Sequence, residues 1–417
     1  MRTETRELLD IANFRKLLVA RTISNFGNGL APIALAFGVL DLEGATPATL
    51  SIVMAAQLFP IVAFMLVGGV IADRFPRALV VGASDILLSA LVVGNGISFI
   101  THTATITSLV IIALLSGTLN AAWWPAFSGI VPEVVPEEQL QSANSFVGLV
   151  SNTSNIFGIV SGGILVAAIG SGPAIVVDGL TFLVAGILVF QLRGLGNRRN
   201  TELDKSSIRD DLMHGWQEFT SRKWVWTVVA GYSIIVMMFE SALSVIGPYH
   251  AKTVLGGPRP WSWILAAFSV GMVLGVIATM RIKPRHPIFV GLSLQFALAA
   301  WFASIGLTTN IPIIMLTGFV CGFAMDFFMV IWQTALQTHI PRESLSRVVS
   351  YDAFGSLFFA PLGLLLAGPL VIAIGTQHSL LWFAAITSLV LIAMLSVKDV
   401  RALEQIDATD GSISLDH

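Results

Sequence analysis

The feature that most constrains this chain is a segment that occurs twice. Pro136 to Gly170 (PEEQLQSANSFVGLVSNTSNIFGIVSGGILVAAIG) returns 205 residues later as Pro341 to Gly375 (PRESLSRVVSYDAFGSLFFAPLGLLLAGPLVIAIG). Laid together without a gap, the two 35-residue copies agree at twelve positions, among them Ser151, Gly158, Gly163 and Gly170 of the first. So long a period marks a duplicated domain rather than a short-repeat solenoid. In each copy a charged turn opens an apolar stretch long enough to cross a bilayer. Both copies run in the same direction, so the halves they belong to are related by an axis along the membrane normal.

Composition agrees with a membrane chain. Of 417 residues, 55% are hydrophobic and only 12% charged, with a mean hydropathy of +0.82. The lipid bilayer is therefore the first expected partner. A net charge of -2 gives no reason to expect nucleic acid. The single cysteine, Cys321, lies in an apolar run, which excludes a disulfide framework and a cysteine metal site. The N-terminal MRTETRELLDIANFRK is charged and has no apolar core of its own, so no cleaved signal peptide is expected.

The apolar runs predict twelve spans at 17–40, 48–72, 78–100, 105–127, 140–169, 173–193, 224–248, 261–281, 288–307, 311–335, 346–374 and 379–397. With the N-terminus inside, all but two of the 23 lysines and arginines fall on the cytoplasmic side; Lys252 and Arg259 alone lie outside. That split fixes the orientation and places both termini in the cytoplasm. The expected division is a six-helix bundle at 1–193, a polar linker at 194–223 and a second six-helix bundle at 224–417 with a short tail. Within the linker, Ser207 and Asp210 form a capping signal, and Ile208, Leu212, Trp216 and Phe219 share one face of a short interfacial helix.

In span 5, Asn144, Gly148, Ser151, Asn155, Gly158 and Gly162 recur at intervals of three and four, a face that favours close helix approach in lipid. The turn after span 2 reads Gly69-Val70-Ile71-Ala72-Asp73-Arg74-Phe75-Pro76-Arg77. It resembles the Gly-x-x-x-Asp-Arg-x-x-Arg signature between helices 2 and 3 of the major facilitator superfamily. Phe14 to Asn28, Val131 to Asn144 and Ile331 to Leu370 resemble more narrowly its drug-efflux branch, with the macrolide and enterobactin exporters. The resemblance implies an all-α membrane fold of two parallel six-helix bundles. It also implies a cytoplasmic gate of Gly69, Asp73, Arg74 and Arg77, in which Asp73 meets the start of span 11 near Asp352.

The chain departs from that pattern in three places. Pro76 stands for the loop's usual glycine, and Ala78 for a basic residue. Span 5 has Gly158-Ile159-Val160-Ser161-Gly162-Gly163 without the antiporter proline, and Asn28 replaces an acidic residue common in span 1.

Carboxylates inside spans are functional candidates by default. Depth separates them. Asp85, Asp178 and Asp352 read as shallow, with structural roles in capping or in pairing with loop arginines. Glu240 in span 7 and Asp326 in span 10 lie near the midplane and are the candidates for proton coupling. A cavity for bulky apolar molecules needs surface and amides more than fixed charge. Its expected lining is Asn25, Asn28, Gln57, Asn120, Asn155, Gln295, Trp332 and Gln333. Trp123 and Trp124 read as an interfacial belt. No metalloprotease, nucleophile-elbow or phosphate-loop motif is present, so neither an enzyme nor an ATP-driven pump is expected, and no cofactor.

The expectation is a monomeric secondary transporter of the bacterial cytoplasmic membrane. It would export small amphipathic molecules by alternating access, with the proton as coupling ion. Two alternatives stay open: a dedicated exporter of one endogenous metabolite such as a siderophore, and a scaffold that binds without transporting.

Overall fold

The computed structural model describes residues 7–192 and 216–404, and these form helices and turns with no strand among them. Spans 1 to 6 are the helices Ala12–Leu40, Pro47–Arg74, Arg77–Ile100, Ile106–Ser128, Leu140–Ile169 and Ser171–Phe190. Spans 7 to 10 are Lys223–Leu255, Pro258–Thr279, Pro287–Leu307 and Ile311–His339. The last apolar stretch, Val348–Ser396, is 49 residues long. A bilayer needs only about 20 residues per helix, so this stretch supplies two spans. It breaks at Gly375, where φ is 77° and ψ 165°. That makes twelve.

The break repeats. Gly170, the partner of Gly375 in the duplicated segment, has φ 86° and ψ 169° and separates span 5 from span 6. This corner of backbone space is essentially closed to residues with a side chain. The two copies thus share a reversal that only glycine can hold, which is why both keep it. Nothing lies within 4 Å of where a Cβ would stand at either position, so the cost of adding one is all backbone. Gly170→Ala and Gly375→Ala are each expected to cost about 1–3 kcal/mol. Thermal unfolding in detergent should show two similar losses of midpoint.

Two spans are irregular. In span 7, π turns at Ala242–Ile246 and Ala251–Leu255 flank Pro248. Proline has no N–H to give the carbonyl four residues back, so Ser244 is freed there and the helix widens. Span 9 is two helices, Pro287–Leu294 and Phe296–Leu307, meeting at Gln295.

By contact the described chain falls into two units. The first holds residues 7–192, 240–266 and 360–379; the second holds 216–239, 267–359 and 380–404. In the first, span 1 packs on spans 5 and 6, span 3 on span 6, and span 2 on span 4. A buried cluster including Phe14, Leu17, Val81, Ala126, Val147 and Val189 fills the end of this bundle next to the basic loops. At the opposite end the same unit joins parts of both halves of the chain. Lys252 pairs with Asp41 at 2.8 Å and also donates to the carbonyl of Leu40, the end of span 1. The backbone N–H of Gly368 donates to Ser51 Oγ at 2.7 Å.

The repeat shows again at this end. A Cβ on Gly163 would stand 2.5 Å from Ser262 Cβ and 2.9 Å from the carbonyl oxygen of Pro258. On Gly368, the equivalent glycine, it would stand 2.5 Å from Ala48 N. One copy presses against the first turn of span 8, the other against the first turn of span 2.

In the second unit, Trp216 stacks with Phe219 at 5.8 Å, and both meet Tyr351, Trp216 edge-on at 5.6 Å and Phe219 tilted at 5.8 Å. The helical residues 216–221 keep the apolar end of the expected linker helix; Ser207, Ile208, Asp210 and Leu212 lie outside the described residues.

Candidate functional site

A cavity of about 270 Å³ lies inside the first unit. Its walls follow helical spacing: Leu88, Val92 and Asn95 on span 3, and Ala113, Ser116 and Asn120 on span 4. Span 6 adds Ile175, Asp178 and Phe182, while Asn28, Gln57 and Ser244 come from spans 1, 2 and 7. Aliphatic carbons make up much of the lining, with polar groups set among them, the usual make-up of a small-molecule site. Asn120 has one partner on its own helix, its amide donating to the Ser116 carbonyl at 3.0 Å.

Three of the eight residues expected at a cavity are on this wall: Asn28, Gln57 and Asn120. The other five are placed elsewhere. Asn25 turns back, its amide donating to the Arg21 carbonyl at 2.8 Å. Asn155 is half-buried where span 5 meets Gly29 of span 1. Gln295 is 1% exposed in the second unit and donates to the Ala324 carbonyl at 3.0 Å, tying span 9 at its break to span 10. Trp332 is 3% exposed there and donates from Nε1 to Asp352 Oδ2 at 3.0 Å. Gln333, beside it, is half-buried. For Gln295 and Trp332 the correction has one cause: a polar group inside a helical bundle can satisfy a neighbouring helix as well as a cavity.

Asp178 was missed. Depth along the helix suggested a capping residue near the end of span 6. The helix in fact begins at Ser171, directly after the Gly170 reversal, and so carries Asp178 two turns in, about 10 Å. It is 3% exposed, and its Oδ1 has no hydrogen-bond partner. Asn95 is also on the wall, 6% exposed, with its Oδ1 unpartnered. The spacing of Ile175, Asp178 and Phe182 was the available signal.

Asp85 is two turns into span 3 and 2% exposed. Its opposing charge is Arg21 of span 1, not a loop arginine. The Arg21 guanidinium lies 4.9 Å from the Trp123 ring centroid and 4.1 Å from that of Phe127, and those rings stack at 4.9 Å. Trp123, itself buried, therefore serves as the floor of a half-buried cation rather than as part of an interfacial belt; the side chain of Trp124 lies outside the described residues.

Glu240 and Asp326 are both half-buried, the first in the first unit and the second in the other. Of the gate residues, Arg74 is exposed. Arg77 donates to the Gly129 carbonyl at 2.8 Å and reaches Glu133 at 3.7 Å, bracing span 3 to the turn after span 4. Gly69 and Asp73 fall on the helix Pro47–Arg74, but their side chains lie outside the described residues. Among the described residues no group of acidic, histidine or cysteine side chains is placed to hold a metal.

Comparison with known proteins decides the family. The family model of the Major Facilitator Superfamily matches residues 17–360. The chain belongs to the major facilitator superfamily. Its members are transporters, and the chain is a multi-pass membrane protein of that all-α fold, with a small-molecule substrate.

Among curated relatives, the multidrug efflux pump Tap of Mycolicibacterium fortuitum is 27% identical over 382 residues, covering 88% of this chain and 90% of its own. The enterobactin exporter EntS of Escherichia coli O157:H7 is 22% identical over 414 residues, covering 95% and 96%. Among solved structures, a mutant of the nucleoside transporter NupG superposes with a TM-score of 0.76 at 11% identity, covering 92% of this chain and 99% of its own. A bacterial homologue of the lysosomal transporter Spinster, inward-facing and unoccupied, gives 0.69 at 14%, covering 95% and 98%. These likenesses show the fold of the superfamily member and no more.

Proposed function

We propose that this superfamily member exports small amphipathic molecules from the cytoplasm by alternating access, in a bacterial inner membrane with both termini inside. The observation that carries the reading is the cavity of the first unit, apolar in its walls and amide-rich where Asn28, Gln57 and Asn120 face it. The likeness to Tap and EntS, both named for outward transport, supports the direction. The contacts of Lys252 with Asp41 and of Gly368 with Ser51 join the two halves at the end that the charge count places outside. On this reading the bundles 1–193 and 224–417 rock against each other as a monomer. Asp73 closes the cytoplasmic end near Asp352, and Glu240 or Asp326 carries the proton that drives the cycle.

A second reading has its own support. A volume of about 270 Å³ is at the small end for a ligand site, which suits one endogenous metabolite better than a wide range of drugs. Drug accumulation in an efflux-deficient bacterium separates the two. The expected result is lower accumulation of macrolides, cationic dyes or tetracyclines with the wild type. An uncoupler should abolish that protection, as should Glu240→Gln or Asp326→Asn, and Asp73→Asn should reduce it. Protection against none of them would leave the metabolite exporter. Export that survives both deep-carboxylate variants would remove Glu240 and Asp326 from the coupling.

A further inference from the structure

We propose that the loop between spans 8 and 9 binds an anionic phospholipid, its phosphate on Arg281 and Lys283 and its acyl chains along span 8. This does not depend on the exporter reading above. The sequence here is a second copy of the turn after span 2. Gly69-Val70-Ile71-Ala72 recurs as Gly275-Val276-Ile277-Ala278, and without a gap Asp73 falls on Thr279 and Arg77 on Lys283. In the first copy Arg77 turns inward to the Gly129 carbonyl and Glu133. The second copy lacks the carboxylate, and Arg281, Lys283 and Arg285 follow within five residues with no acidic one among them. Arg281 and Lys283 are exposed, and among the described residues neither makes an ion pair. The two copies of one turn therefore do different work.

More positive charge is brought beside the loop. Arg285 pairs with Glu404 at 3.0 Å, and His339 Nε2 is 3.2 Å from the Glu404 carbonyl oxygen. The short helix Lys398–Arg401 packs on Pro287–Leu294, the start of span 9. Lys398 and Arg401 are exposed there, so five basic side chains gather against Asp399 and Glu404. Such clusters at a membrane surface attract anionic headgroups, and a guanidinium fork suits phosphate oxygens. The hydrocarbon side is open too. Val270, Leu274 and Ile277, at steps of four and three, are exposed on one face of span 8. The helical turn continues past Thr279, with Ile282 N donating to the Ala278 carbonyl at 2.9 Å, so Arg281 is the next residue of that stripe. Met280, 77% exposed, and Ile282, 50% exposed, flank it. A bare aliphatic stripe that ends in a bare guanidinium matches a molecule with chains and a phosphate. Free phosphate would leave the stripe unused, and a soluble acidic protein would not reach it.

The test is native mass spectrometry of the full chain in detergent, titrated with dioctanoyl phosphatidylglycerol, with phosphatidylcholine of the same chains, or with inorganic phosphate. Wild type should bind phosphatidylglycerol saturably and the other two far more weakly. Arg281→Gln with Lys283→Gln should lower the phosphatidylglycerol affinity about thirtyfold, at about fivefold for each cation lost. Arg281→Lys with Lys283→Arg should keep it. Lys16→Gln with Lys223→Gln removes as much charge from the same side of the membrane and should keep it as well. Equal losses in the two glutamine variants would overturn the proposal, since net charge alone would then explain the binding. So would phosphatidylcholine binding as tightly as phosphatidylglycerol, or inorganic phosphate displacing the lipid, which would make the loop a site for the free anion. Should the Arg281 and Lys283 variant fail to fold, Met280→Glu sets a negative charge beside Arg281. It should weaken phosphatidylglycerol alone, and unchanged binding there would overturn the proposal equally.

Discussion

Gly158→Leu is expected to abolish export and to leave little folded protein in the membrane. The helix Leu140–Ile169 lies against Ala12–Leu40 closely enough that a Cβ at position 158 would stand 2.9 Å from the Phe26 carbonyl carbon and 3.1 Å from its Cα. Backbone cannot rotate aside as a side chain can. The approach is reciprocal: a Cβ at Gly29 would stand 2.8 Å from Ile159 N, and at Gly162 it would stand 3.1 Å from Leu30 Cα. Ser154 crosses the same seam, its hydroxyl donating to the Thr22 carbonyl. Lipid gives helices no hydrophobic reason to associate, so such contacts are what hold the pair. Overpacking one of them should cost about 3 kcal/mol or more. The check is monodispersity and unfolding temperature in detergent beside Gly148→Leu. Position 148 has nothing within 4 Å of its Cβ direction and should tolerate the change.

Removing one of the opposed charges of Arg21 and Asp85 is the second large effect. Arg21→Met leaves Asp85, 2% exposed, without its opposing charge. Asp85→Leu leaves the guanidinium with only the Trp123 and Phe127 faces and Asn25 Oδ1, a bond of 3.4 Å. Arg21 is half-buried and no N···O contact of 4 Å or less joins it to Asp85, so each single loss is expected to stay below the about 3–5 kcal/mol of a closed buried ion pair, whereas replacing both by apolar groups of similar size is often close to neutral. The double variant Arg21→Met with Asp85→Leu is therefore expected to unfold at a higher temperature than either single one. Additive losses in that cycle would show that the two side chains do not act on each other.

The fold could be read from the chain because its strongest signals are backbone requirements. Gly170 and Gly375 hold the same reversed conformation, and no other residue would do so, so the duplication stayed visible across 205 residues. The small-residue face of span 5 was legible for the same reason: Gly158 and Gly162 meet span 1 directly. The site was harder. Depth along a helix says how far a carboxylate is from water at the helix ends, but not which neighbours face it. Asp178 lies on the cavity because Gly27, from a helix distant in sequence, leaves it space, and no spacing within span 6 reports that. Gln295 and Trp332 went astray in the opposite direction: their polar atoms bond Ala324 and Asp352 across helices. The opposed charges of Arg21 and Asp85 are 64 residues apart, and their relation was hidden by counting Arg21 only as a basic residue at the membrane surface.

The most direct measurement of the central claim is transport by the purified full chain in sealed proteoliposomes. Ethidium would be placed on both sides, and a proton gradient imposed across a membrane in which the protein's orientation has been determined. The account predicts that ethidium moves from the side of the basic loops to the opposite side, against its own gradient, and that the movement stops when the proton gradient is collapsed. If neither ethidium, a macrolide nor a neutral dye moves in any proton gradient through protein that binds one of them, the chain is not the exporter described above.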